Sequence, residues 1–113
     1  MELKEGMFVR TKDGEIHKCL GVYIDNNNPK LNRFENEWGN ICMLDEIEKA
    51  DEELPKLLEK GDFLDNHCII KITDSTFFLN DGWFISFDDV EDLVCSIVTK
   101  EQFESIGYKI DGE

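Results

Sequence analysis

Basic residues are scarce in this sequence. Its 113 residues include 12 Lys and Arg against 26 Asp and Glu, which gives a formal net charge of −14 at pH 7. A surface of this sign repels nucleic-acid backbones and anionic lipids, so direct binding to nucleic acid or to a membrane is disfavoured. Such a surface attracts basic protein surfaces instead. The alternative is that the charge only keeps a small domain soluble.

Long apolar runs are also absent. The sequence has no apolar stretch of the roughly 18 residues that a membrane-spanning helix needs. Residues 1–6 carry no apolar run of the kind found in export signals. Without such a signal, the four widely spaced Cys are expected to be free thiols rather than disulfides. We therefore expect a cytoplasmic protein.

Motifs for metal binding and nucleophilic catalysis are missing. His17 lies near Cys19, and His67 is next to Cys68, but the other two Cys stand alone, whereas zinc sites usually combine two close pairs of ligands. No Cys follows a Gly-rich turn or begins a helix that would lower its pKa. We interpret the Cys as buried thiols and the two His as half-exposed imidazoles. Catalytic residues, metal ligands and cofactors are therefore not predicted, and the protein is not expected to be an enzyme.

The sequence contains a repeated pattern. Residues 39–48 (GNICMLDEIE) match residues 82–91 (GWFISFDDVE), and upstream residues 3–9 (LKEGMFV) match residues 58–64 (LEKGDFL). The matched segments come in the same order in both halves. This order indicates an internal duplication, with chance similarity as the alternative.

Each copy has the pattern of short strands. Apolar residues alternate at Ile16, Leu20, Val22 and Ile24, interrupted by Lys18, and again along residues 83–87. Turns are predicted at Asp13-Gly14, at Trp38-Gly39-Asn40 and at Asn80-Asp81-Gly82. The pattern predicts a mainly β fold with short helices, built as two tandem SH3-like small antiparallel barrels that hide their edges by closure.

The helical segments set the predicted boundaries. Residues 1–50 form the first SH3-like repeat, residues 51–60 a short helical linker, and residues 61–113 the second repeat. A C-terminal helix is predicted over residues 99–107, because Thr99 and Gln102 form a capping box and Gly107 supplies a stop. Residues 108–110 (YKI) are a candidate closing strand.

Two acidic corners follow the repeated strands. With the two Trp they form the candidate partner-binding set: Asp45, Glu46, Glu48, Asp88, Asp89, Glu91, Asp92, Trp38 and Trp83. Carboxylates that follow each other in sequence splay outward rather than converge on a substrate. Solvated turns are the alternative to a recognition surface.

Aromatic residues are concentrated in the second copy. Phe77, Phe78, Trp83, Phe84 and Phe87 occupy eleven residues and alternate between the two faces of their strands. A small barrel buries one face of each strand. Either the copies pack through the second face, which we favour, or some rings form an exposed binding patch.

Three segments suggest a context. Residues 97–110 (IVTKEQFESIGYKI), 57–64 (LLEKGDFL) and 6–16 (GMFVRTKDGEI) resemble small uncharacterised proteins of phages and prophages of Firmicutes. The resemblance implies a phage-borne accessory protein that acts in the cytoplasm of a bacterial host. The resemblance implies no active-site residues for this sequence.

The sequence favours a non-enzymatic protein-interaction module whose partner is a protein with a basic surface. The narrower alternative is an acidic inhibitor of a host defence nuclease or DNA-binding protein, of the anti-CRISPR or anti-restriction type, that acts by DNA mimicry. A hydrolase or nuclease that uses clustered carboxylates and Mg²⁺ is the least favoured class. The sequence does not indicate an oligomeric state.

Overall fold

The computed structural model describes residues 3–106, with the backbone alone at residues 105 and 106. The protein is mainly β, with 37% strand and 22% helix, against the 20–25% strand of an average globular protein. The predicted class, mainly β with short helices, is therefore confirmed. The chain divides into two compact units, Met1–Leu57 and Leu58–Glu113. The division falls within residues 51–60, the predicted linker.

The first unit contains six short antiparallel strands. They are β1 (Phe8–Thr11), β2 (Ile16–Lys18), β3 (Gly21–Tyr23), β4 (Arg33–Glu35), β5 (Ile41–Met43) and β6 (Ile47–Asp51). They form two three-stranded sheets, ordered β2-β1-β6 and β3-β4-β5. The chain passes from one sheet to the other at Cys19 and Leu20. The Cys19 amide donates to Met7 next to β1, whereas the Leu20 amide donates to Glu35 in β4.

Single 3-10 turns lie between or after these strands. Two connect strands of the first unit, Pro29–Leu31 and Leu44–Glu46, and a third, Leu54–Leu57, follows β6. The predicted helical linker is thus one 3-10 turn at Leu54–Leu57, and residue 51 still belongs to β6. Pro55 within this segment lacks the amide hydrogen that a longer helix would need.

The second unit contains five strands and two short α-helices. They are β7 (Phe63–Leu64), β8 (His67–Ile72), β9 (Thr76–Leu79), β10 (Phe84–Ser86), α1 (Val90–Leu93), β11 (Ile97–Val98) and α2 (Lys100–Ile106). The strands form one antiparallel sheet in the order β10-β9-β8-β7-β11. A 3-10 turn, Phe87–Asp89, leads from β10 into α1.

The C-terminal helix begins as the sequence predicts. The Thr99 amide donates to Oε1 of Gln102 at 3.1 Å, and the Gln102 amide donates to Oγ1 of Thr99 at 3.3 Å. This reciprocal pair is the predicted capping box, which is confirmed. The predicted stop at Gly107 and the candidate strand 108–110 lie outside the described residues.

Strand pairing follows the same scheme in both units. β1 pairs with β2 and with the last strand, β6, just as β7 pairs with β8 and with the last strand, β11. The middle strand β4 pairs with β3 and β5, just as β9 pairs with β8 and β10. Each unit also places a 3-10 turn after its second-to-last strand and before its last strand.

Glycine amides occupy matching places in the two schemes. The Gly6 amide donates to the Cys19 carbonyl at 2.8 Å, and the Gly61 amide donates to the Ile69 carbonyl at 3.0 Å. Their φ angles are +93° and +94°, values that L side chains rarely adopt. The two halves therefore require glycine at the same point for the same conformational reason.

Each unit has its own apolar core. In the first unit Val9, Cys19, Phe34 and Ile47 pack together. In the second unit the buried apolar residues are Leu58, Leu64, Ile69, Phe77, Leu79 and Val90. The ring of Phe77 lies 4.6 Å from that of Phe87, centroid to centroid, which ties the 3-10 turn to the sheet.

Closed barrels are not formed by residues 3–106. In the second unit, β10 and β11 are the two edge strands of an open sheet. In the first unit, the strands form two sheets rather than one ring. The predicted closure is therefore wrong for the described part of the chain. Strands of two to six residues offer few ladder hydrogen bonds, and the 3-10 turn interrupts the ladder before the last strand.

Candidate functional site

The first acidic corner lies on the surface. Asp45 and Glu46 belong to the 3-10 turn after β5, Glu48 belongs to β6, and all three side chains are exposed. Between them Ile47 points into the core of the first unit. The buried Ile47 fixes the turn, so its acidic neighbours face solvent.

The second acidic corner has the same arrangement of exposed acids around a buried residue. Asp88 and Asp89 lie in the turn after β10, Glu91 and Asp92 lie in α1, and all four are exposed around buried Val90. Within residues 3–106, no three His, Cys, Asp or Glu side chains converge in a way that would hold a metal ion. The corners provide negative surface charge rather than a coordination sphere.

Trp38 is exposed in the turn between β4 and β5. The side-chain oxygen of Asn36 accepts the amides of Trp38 and Asn40, both at 3.0 Å, which fixes the turn. The Trp38 ring contacts His17 edge to face, with centroids 5.3 Å apart, yet leaves 71% of the residue exposed.

His17 is buried, which corrects the expectation of a half-exposed imidazole. Its Nδ1 lies 3.0 Å from Oε1 of Glu37, and its Nε2 lies 3.1 Å from Oε1 of Glu15. Burial lowers the pKa of His17, but the hydrogen bonds and charges of Glu37 and Glu15 outweigh it and raise the pKa above its usual value. Burial also raises the pKa of Glu37, but His17 and the Lys18 amide lower it further, below its usual range.

A groove of about 280 Å³ opens in the second unit. Its floor is formed by the buried residues Leu64 and Leu79, and one wall by Trp83, Phe84 and Ile85 of the β9–β10 hairpin. Trp83 is 71% exposed and Phe84 is 68% exposed. Of the predicted partner-binding residues, the groove contains Trp83.

The second wall of the groove comes from the segment after α1. Leu93, 64% exposed, and Val94 line the groove together with the hairpin residues. Asp65 holds this segment in place, because its Oδ1 accepts the amides of Cys95 at 2.9 Å and Ser96 at 2.8 Å. Asp65 can do so because it sits in a tight turn with φ +49°.

His67 lines the groove and contacts Asp81 of the β9–β10 turn. Nδ1 of His67, an exposed residue, lies 3.1 Å from Oδ2 of Asp81, and Oδ1 of Asp81 accepts the Trp83 amide at 3.0 Å. Asp81 thus orients both the imidazole and the turn that carries Trp83. Within residues 3–106, the lining of this groove combines these apolar walls with Asp65 and His67.

Sequence reasoning missed most of this groove. The exposed aromatic patch was one of its two alternatives, and the exposure of Trp83 and Phe84 agrees with that alternative. The opposite wall had no local signal, because Leu93 and Val94 resemble ordinary helix-end residues. Asp65 is the one detectable cue, since an Asp-Asn pair between two apolar segments is a turn signal.

All four Cys are free, and burial raises the pKa of Cys19 and of Cys42, which keeps both protonated at neutral pH.

Helices of the described segment are too short and too polar to cross a membrane. No family model, no curated protein and no solved structure matches this chain.

Proposed function

We propose that this chain is a non-enzymatic protein-interaction module built from two SH3-like units that arose by duplication. Three features support the duplication: the shared pairing scheme, the 3-10 turn before the last strand of each unit, and the matching hydrogen bonds of Gly6 and Gly61. An SH3-like unit supplies a rigid frame from which turns present side chains.

The partner is a protein with a basic surface. The observation that carries this proposal is the combination of exposed Trp38 and Trp83 with exposed acidic corners in a chain of net charge −14. Exposed Trp side chains are typical anchors of protein interfaces, and surrounding negative charge selects and steers a basic partner. The resemblance to phage and prophage proteins supports an accessory role in the cytoplasm of a bacterial host.

Affinity purification tests the proposal. The tagged chain is incubated with a Firmicutes lysate, crosslinked, and its partners are identified by mass spectrometry. We expect a basic protein whose capture falls as salt rises, because exposed charges are screened. Failure to capture a partner, together with turnover of a small molecule by the purified chain, would overturn the proposal.

A second candidate is inhibition of a host defence nuclease or DNA-binding protein by DNA mimicry. The exposure of Asp88, Asp89, Glu91 and Asp92 favours it, because these carboxylates lie on consecutive turns of one corner. Replacing the four by Asn and Gln is expected to abolish inhibition of a restriction or CRISPR nuclease and competition with DNA. The matched control neutralises Asp45, Glu46 and Glu48. Inhibition that survives both changes rejects mimicry.

A further inference from the structure

The groove of the second unit reaches β10, which lies at one edge of its sheet. Trp83 immediately precedes β10, and Phe84 and Ile85 are its first two residues. All three line the groove. Within residues 3–106 this edge is open, because β10 is the first strand of its sheet.

Backbone groups of Phe84 point toward that open edge. The Leu79 amide donates to the Trp83 carbonyl at 2.8 Å, and the Phe87 amide donates to the Ser75 carbonyl at 2.9 Å. Hydrogen-bonded and non-hydrogen-bonded pairs alternate along an antiparallel ladder. The intervening residue Phe84 therefore directs its N–H and C=O away from β9. These groups are suited to pair with an added strand.

Charge around the groove selects a basic occupant. Residues 58–106 contain eleven Asp and Glu against three Lys. Asp65 lines the groove, Asp81 contacts the lining residues His67 and Trp83, and Asp88 and Asp89 follow β10 in the next turn. The apolar walls exclude water from a bulky apolar side chain, while the acidic surroundings attract cations on either side of it.

We propose that this groove binds an extended segment of a partner protein in which a large aliphatic side chain is flanked by Lys or Arg. The segment adds a strand to β10 through the backbone of Phe84, and its apolar side chain lies between Trp83 and Leu93. The flanking cations face the aspartates in and around the groove. This inference rests on the proposed function and names the site and the chemistry of the partner.

The two Trp make the site directly measurable. The chain contains two Trp, both 71% exposed, so Trp38→Phe leaves Trp83 as the single reporter and Trp83→Phe leaves Trp38. The probe is a synthetic peptide with a central Leu, two Lys on each side and no Trp. Matched peptides replace the Leu by Ser, the Lys by Glu, or the central amide by its N-methyl form.

We expect the Leu-Lys peptide to shift the emission of Trp83 to the blue and to leave that of Trp38 unchanged. The Ser, Glu and N-methyl peptides are each expected to bind at least about tenfold more weakly, because they remove the anchor, the charge complementarity or the strand pairing. A response of Trp38 alone, equal binding of the Glu peptide, or equal binding of the N-methyl peptide overturns the proposal.

Partner capture separates this inference from the function on which it rests. Trp83→Ala is expected to reduce capture of the basic partner at least about tenfold, whereas the matched change Trp38→Ala leaves it within about twofold. Capture that depends on Trp38 and not on Trp83 overturns the proposal that the groove is the binding site, but it agrees with the proposed interaction function. Absence of any partner overturns both. Sedimentation velocity completes the test. If the wild-type chain is a dimer and Trp83→Ala makes it monomeric, a second copy of the chain occupies the groove and the proposal is overturned.

Discussion

Nδ1 of His17 lies 3.0 Å from Oε1 of Glu37 in the first unit, and the imidazole is buried. Nε2 of the same ring faces Glu15, so both ring nitrogens meet carboxylates. Both nitrogens are donors only in the imidazolium form. Folding therefore favours protonated His17 and ionised Glu37, and the Trp38 ring contacts the imidazole edge to face.

This pair predicts a pH window for stability. Burial lowers the pKa of His17, but its carboxylate partners raise it above the unfolded value of about 6.5. The contribution of His17 to folding stability is therefore fully present below about pH 6.5, and it is lost as the pH rises through the higher folded pKa. The pKa of Glu37 is lowered, so its contribution is present above about 4.3 and is lost as pH falls through the lower folded pKa. The pair stabilises most between about pH 4.5 and 6.5.

Urea unfolding of His17→Gln across pH tests this window. The variant is expected to lose about 1–3 kcal/mol of unfolding free energy near pH 5.5, because hydrogen bonds to charged groups are removed. The loss is expected to shrink as the pH rises through the raised folded pKa of His17, because wild-type His17 then becomes neutral. A difference between the two proteins that stays constant from pH 5 to pH 9 would contradict the ion pair.

Phe77→Ala is expected to be strongly destabilising. Phe77 is fully buried and packs on Phe87, so its removal leaves a cavity and costs about 3–5 kcal/mol. Trp83→Ala is the matched control from the same hairpin, and its exposure predicts a change within about 0.5 kcal/mol. Equilibrium urea unfolding measures both, and equal losses would show that Trp83 is part of the core.

Gly6→Ala and Gly61→Ala are each expected to cost about 1–2 kcal/mol of unfolding free energy. Their φ angles of +93° and +94° strain any L side chain, although a Cβ meets no heavy atom within 4 Å at Gly6 and only ordinary contacts with Lys100 at Gly61. Gly21→Ala is the control, since Gly21 lies in a strand without that backbone strain. Thermal unfolding compares the three, and a tolerated Gly6→Ala would contradict the backbone geometry.

Thr99→Ala is expected to loosen the start of α2. The side chain of Thr99 accepts the Gln102 amide, and the loss of such a cap costs about 1 kcal/mol. Hydrogen exchange is expected to quicken at Gln102, whereas the amide of Lys100 stays protected because Oδ1 of Asp62 accepts it at 2.9 Å. Unchanged exchange at Gln102 would show that the capping box contributes nothing to the helix.

Local signals in the sequence were sufficient for some elements. Thr99 and Gln102 are three residues apart, and Gly82 follows Asn80-Asp81, so the cap and the hairpin turn depend on neighbours alone. The alternation along residues 16–24 misled, because the strand stops at Lys18 and restarts at Gly21. Cys19 is consequently buried while Leu20 is 43% exposed.

The groove was beyond local prediction for a different reason. Trp83 and Leu93 line the same groove, and Asp65 ties down the segment after α1 through a contact that joins residues thirty positions apart. Glu37 is likewise twenty positions from His17, whereas Glu15 is only two positions away. Sequence patterns locate a turn or a cap, whereas such pairings depend on which strands meet.

The Asp65 contact has a consequence for the order in which the second unit assembles. Contacts between distant residues carry a larger loop-closure cost than hairpins do, so the β7–β10 hairpins can form before Cys95 and Ser96 reach Asp65. The wall that carries Leu93 and Val94 is then the last part of the groove to be placed. For the binding site proposed above, the ability to bind is then acquired late in folding, and the proposed partner discriminates a finished second unit from one that has only its sheet.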